Sequence, residues 1–152
     1  MKPFVQELFQ YTNHQNNAII SAITENHSQI SAKTIKLISH IINVHQIWNA
    51  KFNLNNTELF DAWTIHEVSD LEGYERLNFD QSIEILSIYK LDQLIDWKTT
   101  NGKYFQNSVL DILFQIINHS NYHRAQIATE FRMSGIQPIM TDFILFKMTK
   151  PQ

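Results

Sequence analysis

The chain has 152 residues, 12 Lys+Arg against 15 Asp+Glu for a net charge of −3, and no cysteine. That length buries a core without covalent staples, and the missing cysteines exclude disulfides, iron–sulfur clusters, thiolate zinc sites and cysteine nucleophiles, so any bound metal must be held by imidazole and carboxylate. No basic stretch stands out, which argues against a nucleic-acid partner. No apolar run approaches the ~20 residues that span a bilayer, and the start MKPFVQELFQYTNHQ has no signal-peptide core, so the expectation is a cytoplasmic protein without a membrane partner.

Only three Gly and three Pro are present, which favours long helices, and seven His are many for this length. The first helix is expected from about Pro3 to about His27, with Phe4, Leu8, Tyr11, Ile19 and Ile23 at three- and four-residue spacing and Asn16-Asn17 interrupting the pattern. The second runs from about Ser31 to about Phe52, its stripe formed by Leu37, Ile38, Ile41, Ile42, Val44, Trp48 and Phe52. Asn53-Leu54-Asn55-Asn56 ends it, and a polar connection of about a dozen residues is long enough to cross the end of a bundle.

The third helix falls within roughly Glu67 to Lys90, with Val68, Leu71, Leu77, Ile85 and Ile88 marking its inner side and Gly73 and Asn78 weakening its first half. Asp96 to Phe105 reads as a small β-hairpin turning at Asn101-Gly102, flanked by Trp, Thr, Tyr and Phe. The fourth helix has the clearest signals. Asn107 or Ser108 caps it, Asp111 stands in its first turn, Gly135 stops it, and Val109, Leu113, Ile116, Ser120, His123 and Ile127 form one stripe. The tail from Gln137, with Phe143, Ile144, Leu145 and Phe146, is apolar enough to pack on the bundle. The expected fold is therefore all-α, a single domain over 1–152: a four-helix bundle with a crossover between helices 2 and 3 and a β-hairpin before helix 4.

His119 and His123 are four residues apart, which on a helix stacks them with Cβ atoms ~5–6 Å apart. Two imidazoles so placed can converge on one ion at ~2.0–2.1 Å. The spacing is that of HExxH, but Ser120 follows His119, so the catalytic Glu of that motif is absent. A third imidazole is available from His40 or His45 on the second helix. These two differ by about 140° around the axis and cannot point the same way. His40 lies at the edge of the apolar arc, where two helices meet at a seam, and pairs better with His119. His45, near the centre of the arc, is an alternative ligand, a partner behind the ligands, or a hydrogen-bonded core histidine, the last being the plainest reading. His14, His27 and His66 read as surface or connection residues, Trp48 and Trp97 as packing. Arg124 reads either as a holder of anionic substrate groups or as one half of a salt bridge on the outer face.

The segment Asn118-His119-Ser-Asn-Tyr-His123-Arg-Ala-Gln-Ile127 resembles the N-H-x-x-Y-H-R-G-Q-I pattern of the DinB-like (damage-inducible, YfiT-like) metalloproteins, with Ala125 for the usual Gly. His40-Ile-Ile-Asn-Val-His-Gln-Ile-Trp48 resembles that family's H-I-L-x-x-x-x-I-W, and Pro138-Ile-Met-Thr-Asp-Phe-Ile144 its P-x-x-T-D-F-I ending. The opening Tyr11 to Asn17 matches only loosely. The resemblance implies a bundle with a crossover, a homodimer, and a divalent transition metal (zinc, nickel or iron) held by His40, His119 and His123. Three imidazoles with open positions are the layout of a catalytic site. Related proteins include transferases and isomerases that use low-molecular-weight bacterial thiols, so the implied role is metal-dependent thiol transfer to small electrophiles in stress or detoxification. A metal-dependent hydrolase and a non-catalytic metal-binding stress protein are the alternatives. No ligand neighbour supplies the carboxylate base that hydrolysis wants.

Overall fold

The computed structural model describes residues 1–54 and 59–148. Helix α1 spans Lys2–Glu25, with Pro3 in its first turn, where a missing N–H is harmless. Asn16 does not break it: the amide is fully buried and hydrogen-bonded to side chains of two other helices. After a 3₁₀ turn at His27–Gln29, α2 spans Ala32–Asn49. Ser31 caps α2 by accepting from the Thr34 N–H at 3.1 Å, and its hydroxyl also donates to Glu130 (3.0 Å) near the end of the last long helix. A 3₁₀ turn at Ala50–Phe52 and a left-handed Asn53 (φ 52°) close the element. Asn55 and Asn56, read as part of that stop, lie outside the described residues.

Helix α3 spans Val68–Ile88. Leu77 and Ile88, expected on its inner side, face solvent and are 60% and 56% exposed. The inward stripe is instead shared by Leu71 and Ile85 with the buried polar residues Glu75, Asn78 and Ser82. Gly73 is exposed and leaves the helix unbroken, while Asn78 reinforces its half of α3 by donating to the Ile42 carbonyl (2.9 Å) and accepting on its own carbonyl from Asn49 (2.9 Å).

Strands β1 (Leu94–Lys98) and β2 (Tyr104–Ser108) pair antiparallel with Trp97 opposite Phe105. The hairpin closes through Thr99 N to Lys103 O at 2.9 Å, with Gly102 at φ +82° as the left-handed residue of the loop, a position where any Cβ is strained. Ser108 then caps α4 (Val109–Met133) in a reciprocal capping box with Asp111. Gly135, at φ +73°, turns the chain out of the helix. The tail packs on the bundle as expected and adds a short helix α5 (Phe143–Met148). Phe143 lies edge-on to Tyr11 at 5.4 Å, Phe146 is buried, and the Tyr11 hydroxyl donates to the Thr141 carbonyl.

Helix α1 packs chiefly on α3, and α2 on α4. The apolar core is divided. One cluster gathers Ile19, Ile23, Ile38, Ile41, Ile42, Leu71, Ile127 and Phe131. The other gathers Val5, Phe9, Phe52, Ile85, Val109, Ile112, Leu113 and Ile116. Positions between them along the helices carry buried polar side chains: Thr12 and Asn16 on α1, His45 on α2, Asn78 and Ser82 on α3, Ser120, His123 and Arg124 on α4. This polar slab crosses the bundle at the level of the histidines.

Candidate metal centre

His40 on α2 and His119 and His123 on α4 come together where these helices meet. One ligand nitrogen from each lies within 4.8 Å of the others, and the ring centroids are 4.4 Å (His119–His123), 4.7 Å (His40–His123) and 5.0 Å (His40–His119) apart. The i, i+4 spacing on α4 therefore does what a helix dictates, and the α2–α4 seam delivers the third ring.

The partners behind the rings fix which nitrogen faces the centre. His40 Nδ1 donates to the Ala62 carbonyl at 2.7 Å, and His123 Nδ1 donates to Gln126 Oε1 at 2.8 Å. Each ring thus carries its proton on Nδ1 and presents the Nε2 lone pair, the arrangement that outer partners impose on metal-binding imidazoles. His40 Nε2 and His119 Nε2 stand 3.2 Å apart. Two nitrogens bound ~2.0–2.1 Å from one ion at a tetrahedral angle stand roughly 3.3 Å apart. The all-imidazole donor set, the His40 and His123 tautomers and the His40–His119 spacing fit a divalent ion. Burial and the neighbouring rings bring the His119 pKa down to about 4; burial also lowers that of His40, against the raising effect of the Ala62 hydrogen bond. Both therefore stay neutral, as ligands must be, at pH 7.

The crossover is the other wall of the site. Trp63 stacks on the His40 ring at 3.7 Å and 5°, with its remaining surface half exposed and the Lys36 ammonium 5.1 Å from its centroid. Two positions of the crossover, Ala62 and Trp63, thus hold the His40 ring. Asn43 pins the same segment by donating to the Thr64 carbonyl at 2.7 Å. His66, read from the sequence as a surface or connection residue, is buried. Its Nε2 donates to Asn43 Oδ1 (2.5 Å), its backbone N–H donates to Ser39, and its ring packs on Phe60 and Tyr74. It fastens the crossover to α2. His14 and His27 are exposed, as expected.

His45 stands outside the cluster, as a core histidine. Ser82 Oγ donates to Asn49 Oδ1 (3.1 Å), so His45 Nε2 donates to Ser82 Oγ (2.8 Å); with its proton committed to Asn49, that serine is no nucleophile. Burial pushes the His45 pKa down to about 3. In the unfolded chain the ring takes a proton near 6.5, so its contribution to stability is present above pH 6.5 and falls away as pH drops toward 3. The linkage amounts to about 2 kcal/mol by pH 5. Urea titrations at pH 7 and pH 5 should show a loss on acidification about that much larger in the natural chain than in His45→Leu; equal losses would contradict the reading.

Arg124 is neither an outer salt bridge nor a holder of substrate groups. It is 1% exposed and turned into the slab, where Nη1 donates to Asn16 Oδ1 at 3.0 Å and the guanidinium lies 5.1 Å from the Tyr11 ring. Sequence reasoning passes over Ala62, Trp63 and Gln126. Only Gln126, three residues after His123 on one helix face, leaves a local signal. The crossover pair has no periodicity to betray it.

Fold and cluster together define a helical bundle with a histidine-only cluster, partly exposed at His119, that can hold a metal ion. The DinB family model matches residues 1–152, the whole chain, and the chain belongs to the DinB family. No curated protein matches it. Among the described residues, no helix is long and apolar enough to cross a membrane.

Proposed function

We propose that this protein binds one divalent transition metal, zinc, nickel or iron, through Nε2 of His40, His119 and His123. In this reading it uses the ion to transfer a low-molecular-weight thiol to small electrophiles in detoxification or stress. The observation that carries the reading is the convergence of three imidazoles from two helices, two of them locked by Ala62 and Gln126 into the tautomer that offers Nε2. Such an ion, when bound, lowers the pKa of a held thiol or water and so supplies a nucleophile at neutral pH.

The chain's own residues do the rest. His40 and His123 are oriented from behind, half-buried His119 leaves one side of the cluster open to a small molecule, and Trp63 forms an aromatic rim against which an electrophile can rest. The cluster contains no carboxylate, which leaves hydrolysis without a general base at the ligands and favours thiol chemistry. The absence of cysteine is in keeping, since the thiol is the cosubstrate.

The reading includes a single domain and a cytoplasmic homodimer. In support of the dimer, Phe4, Phe114, Met140 and Ile144 expose apolar surface along α1, α4 and the tail. Sedimentation at micromolar concentration checks it. The activity is tested by loading the protein with each metal and following consumption of an activated aryl halide with several bacterial thiols. A metal-dependent rate absent from His119→Ala is the expected result. Metal-loaded protein that consumes no electrophile above that variant, with any thiol, would refute thiol transfer, and ester hydrolysis in the same preparation would favour the hydrolase.

A further inference from the structure

The polar slab holds more hydrogen-bonding capacity than its protein partners use. Asn16 is its hub: Nδ2 donates to Glu75 Oε2 at 3.1 Å, and Oδ1 accepts from Arg124 Nη1 at 3.0 Å. Thr12 lies one turn before Asn16 on α1, and Ser120 one turn before Arg124 on α4, so both hydroxyls stand on the faces that meet at the hub. None of the five side chains is more than 1% exposed. Yet Thr12 Oγ1, Glu75 Oε1, Ser120 Oγ and Arg124 Nε and Nη2 find no hydrogen-bond partner among the described residues. Native interiors leave only a few such atoms unmatched per hundred residues, and here five gather around one hub.

The chemistry of these atoms selects the ligand. Two hydroxyls, one carboxylate oxygen and two guanidinium donors form a mixed set. An anion is opposed by Glu75 and a cation by Arg124, whereas water both donates and accepts and needs two to four polar partners. A charge argument adds a second step. Three neutral imidazoles bring no negative charge to a divalent ion, and Arg124, next to His123, adds a further positive charge. Glu75 is the carboxylate of the slab that can offset it.

We propose that Thr12, Asn16, Glu75, Ser120 and Arg124 bind ordered water inside the bundle, and that Glu75 gives up a proton from this site when a cation occupies the histidine cluster. The second half rests on the metal-binding reading above; the first does not. Burial pushes the Glu75 pKa up to about 7, against the lowering effects of the Asn16 hydrogen bond and the Arg124 charge, so the proton is finely balanced at neutral pH. Other ionisable groups that reach α3 are Lys2 on α1, which donates to the Leu86 carbonyl, His45 on α2, which reaches Ser82, and His66 in the crossover, against Tyr74 and near Asp70; Tyr11 on α1 lies beside Arg124. Burial holds His45 neutral down to about 3 and lowers His66, so neither competes with Glu75 for a proton near pH 7.

The test uses the full chain. In metal-free protein, magnetisation transfer from long-lived water to the Asn16 side-chain amide and the Arg124 Nε–H is expected, and the Glu75 carboxyl carbon should titrate near neutrality. A folded protein with no water transfer at either group overturns the water site. Zinc is then added. The Glu75 midpoint should move to lower pH, and protons released per zinc at pH 7, counted by calorimetry in buffers of different ionisation enthalpy, should be about half a proton fewer in E75Q than in the natural chain. At pH 8.5 the difference should vanish, because Glu75 is already ionised. Zinc that binds without moving the midpoint or the proton count overturns the coupling alone. Zinc that does not bind refutes the metal site and the coupling together, while the water result stands by itself.

Discussion

His119→Ala and His40→Ala should each abolish stoichiometric zinc binding, from one ion per chain to a trace, in protein that still folds. The seam explains why either single loss suffices. His40 is the sole imidazole that α2 contributes to the cluster, and its Nε2 stands 3.2 Å from that of His119; without either ring, two ligands remain, below the three that catalytic sites hold. His45→Ala should keep its zinc, because that ring points to Ser82 and belongs to the core. Gln126→Leu sets the scale between them. It removes the acceptor that holds the His123 tautomer while leaving the ligands in place, and should weaken zinc ~10–100-fold, the usual effect of losing a partner behind a ligand. Competition titration against a chromogenic chelator measures all four. Retention of one zinc per chain by His40→Ala, with loss in His45→Ala, would reverse the assignment.

The parts of this protein legible in its sequence are those whose cause is local. The capping box of Ser108 and Asp111, the stop at Gly135, the i, i+4 pair of α4 and the turn at Gly102 each depend on residues a few positions apart, and each stands where expected. The edge position of His40 distinguishes it from His45 in the sequence, and the two rings separate in that way, one to the cluster and one to the core. What was not legible is polar and distant. Hydrophobic periodicity assigned Leu77 and Ile88 to the interior of α3 because it counts apolar residues. The inward face is held instead by Glu75, Asn78 and Ser82, whose partners Asn16, Asn49, Ile42 and His45 lie on other helices. A buried carboxylate reads as a surface residue until its partner is known. Arg124 is illegible for the same reason: its partner Asn16 is 108 positions away. His66 and Trp63 lie in a connection without periodicity, where only three-dimensional proximity to α2 gives them a role.

Arg124→Met should be the most damaging single change outside the ligands, costing about 3–5 kcal/mol, the range for removing one partner of a buried charge arrangement. For a chain of this size that is a fall in Tm of roughly 6–20 °C. Methionine fills similar space, so the loss is electrostatic: Asn16 Oδ1 loses its donor, Glu75 loses the positive charge that favours its ionised form, and Tyr11, which holds Thr141 of the tail, loses the guanidinium beside it. The pH dependence separates this from a packing defect. The folded-state pKa of Glu75 already lies above the ordinary carboxyl value of 4.5 and rises further without Arg124. A group raised in this way leaves stability intact below 4.5 and takes it away as pH climbs through the folded value. The defect should therefore be larger at pH 8 than at pH 5. Adding Glu75→Gln removes the uncompensated charge and should recover most of the loss at pH 8, where the same change in a surface ion pair would recover next to nothing. Chemical denaturation of both variants at the two pH values decides it. A loss of less than 1 kcal/mol, or one that is the same at both pH values and unaffected by Glu75→Gln, would show that Arg124 and Glu75 are not electrostatically linked through Asn16.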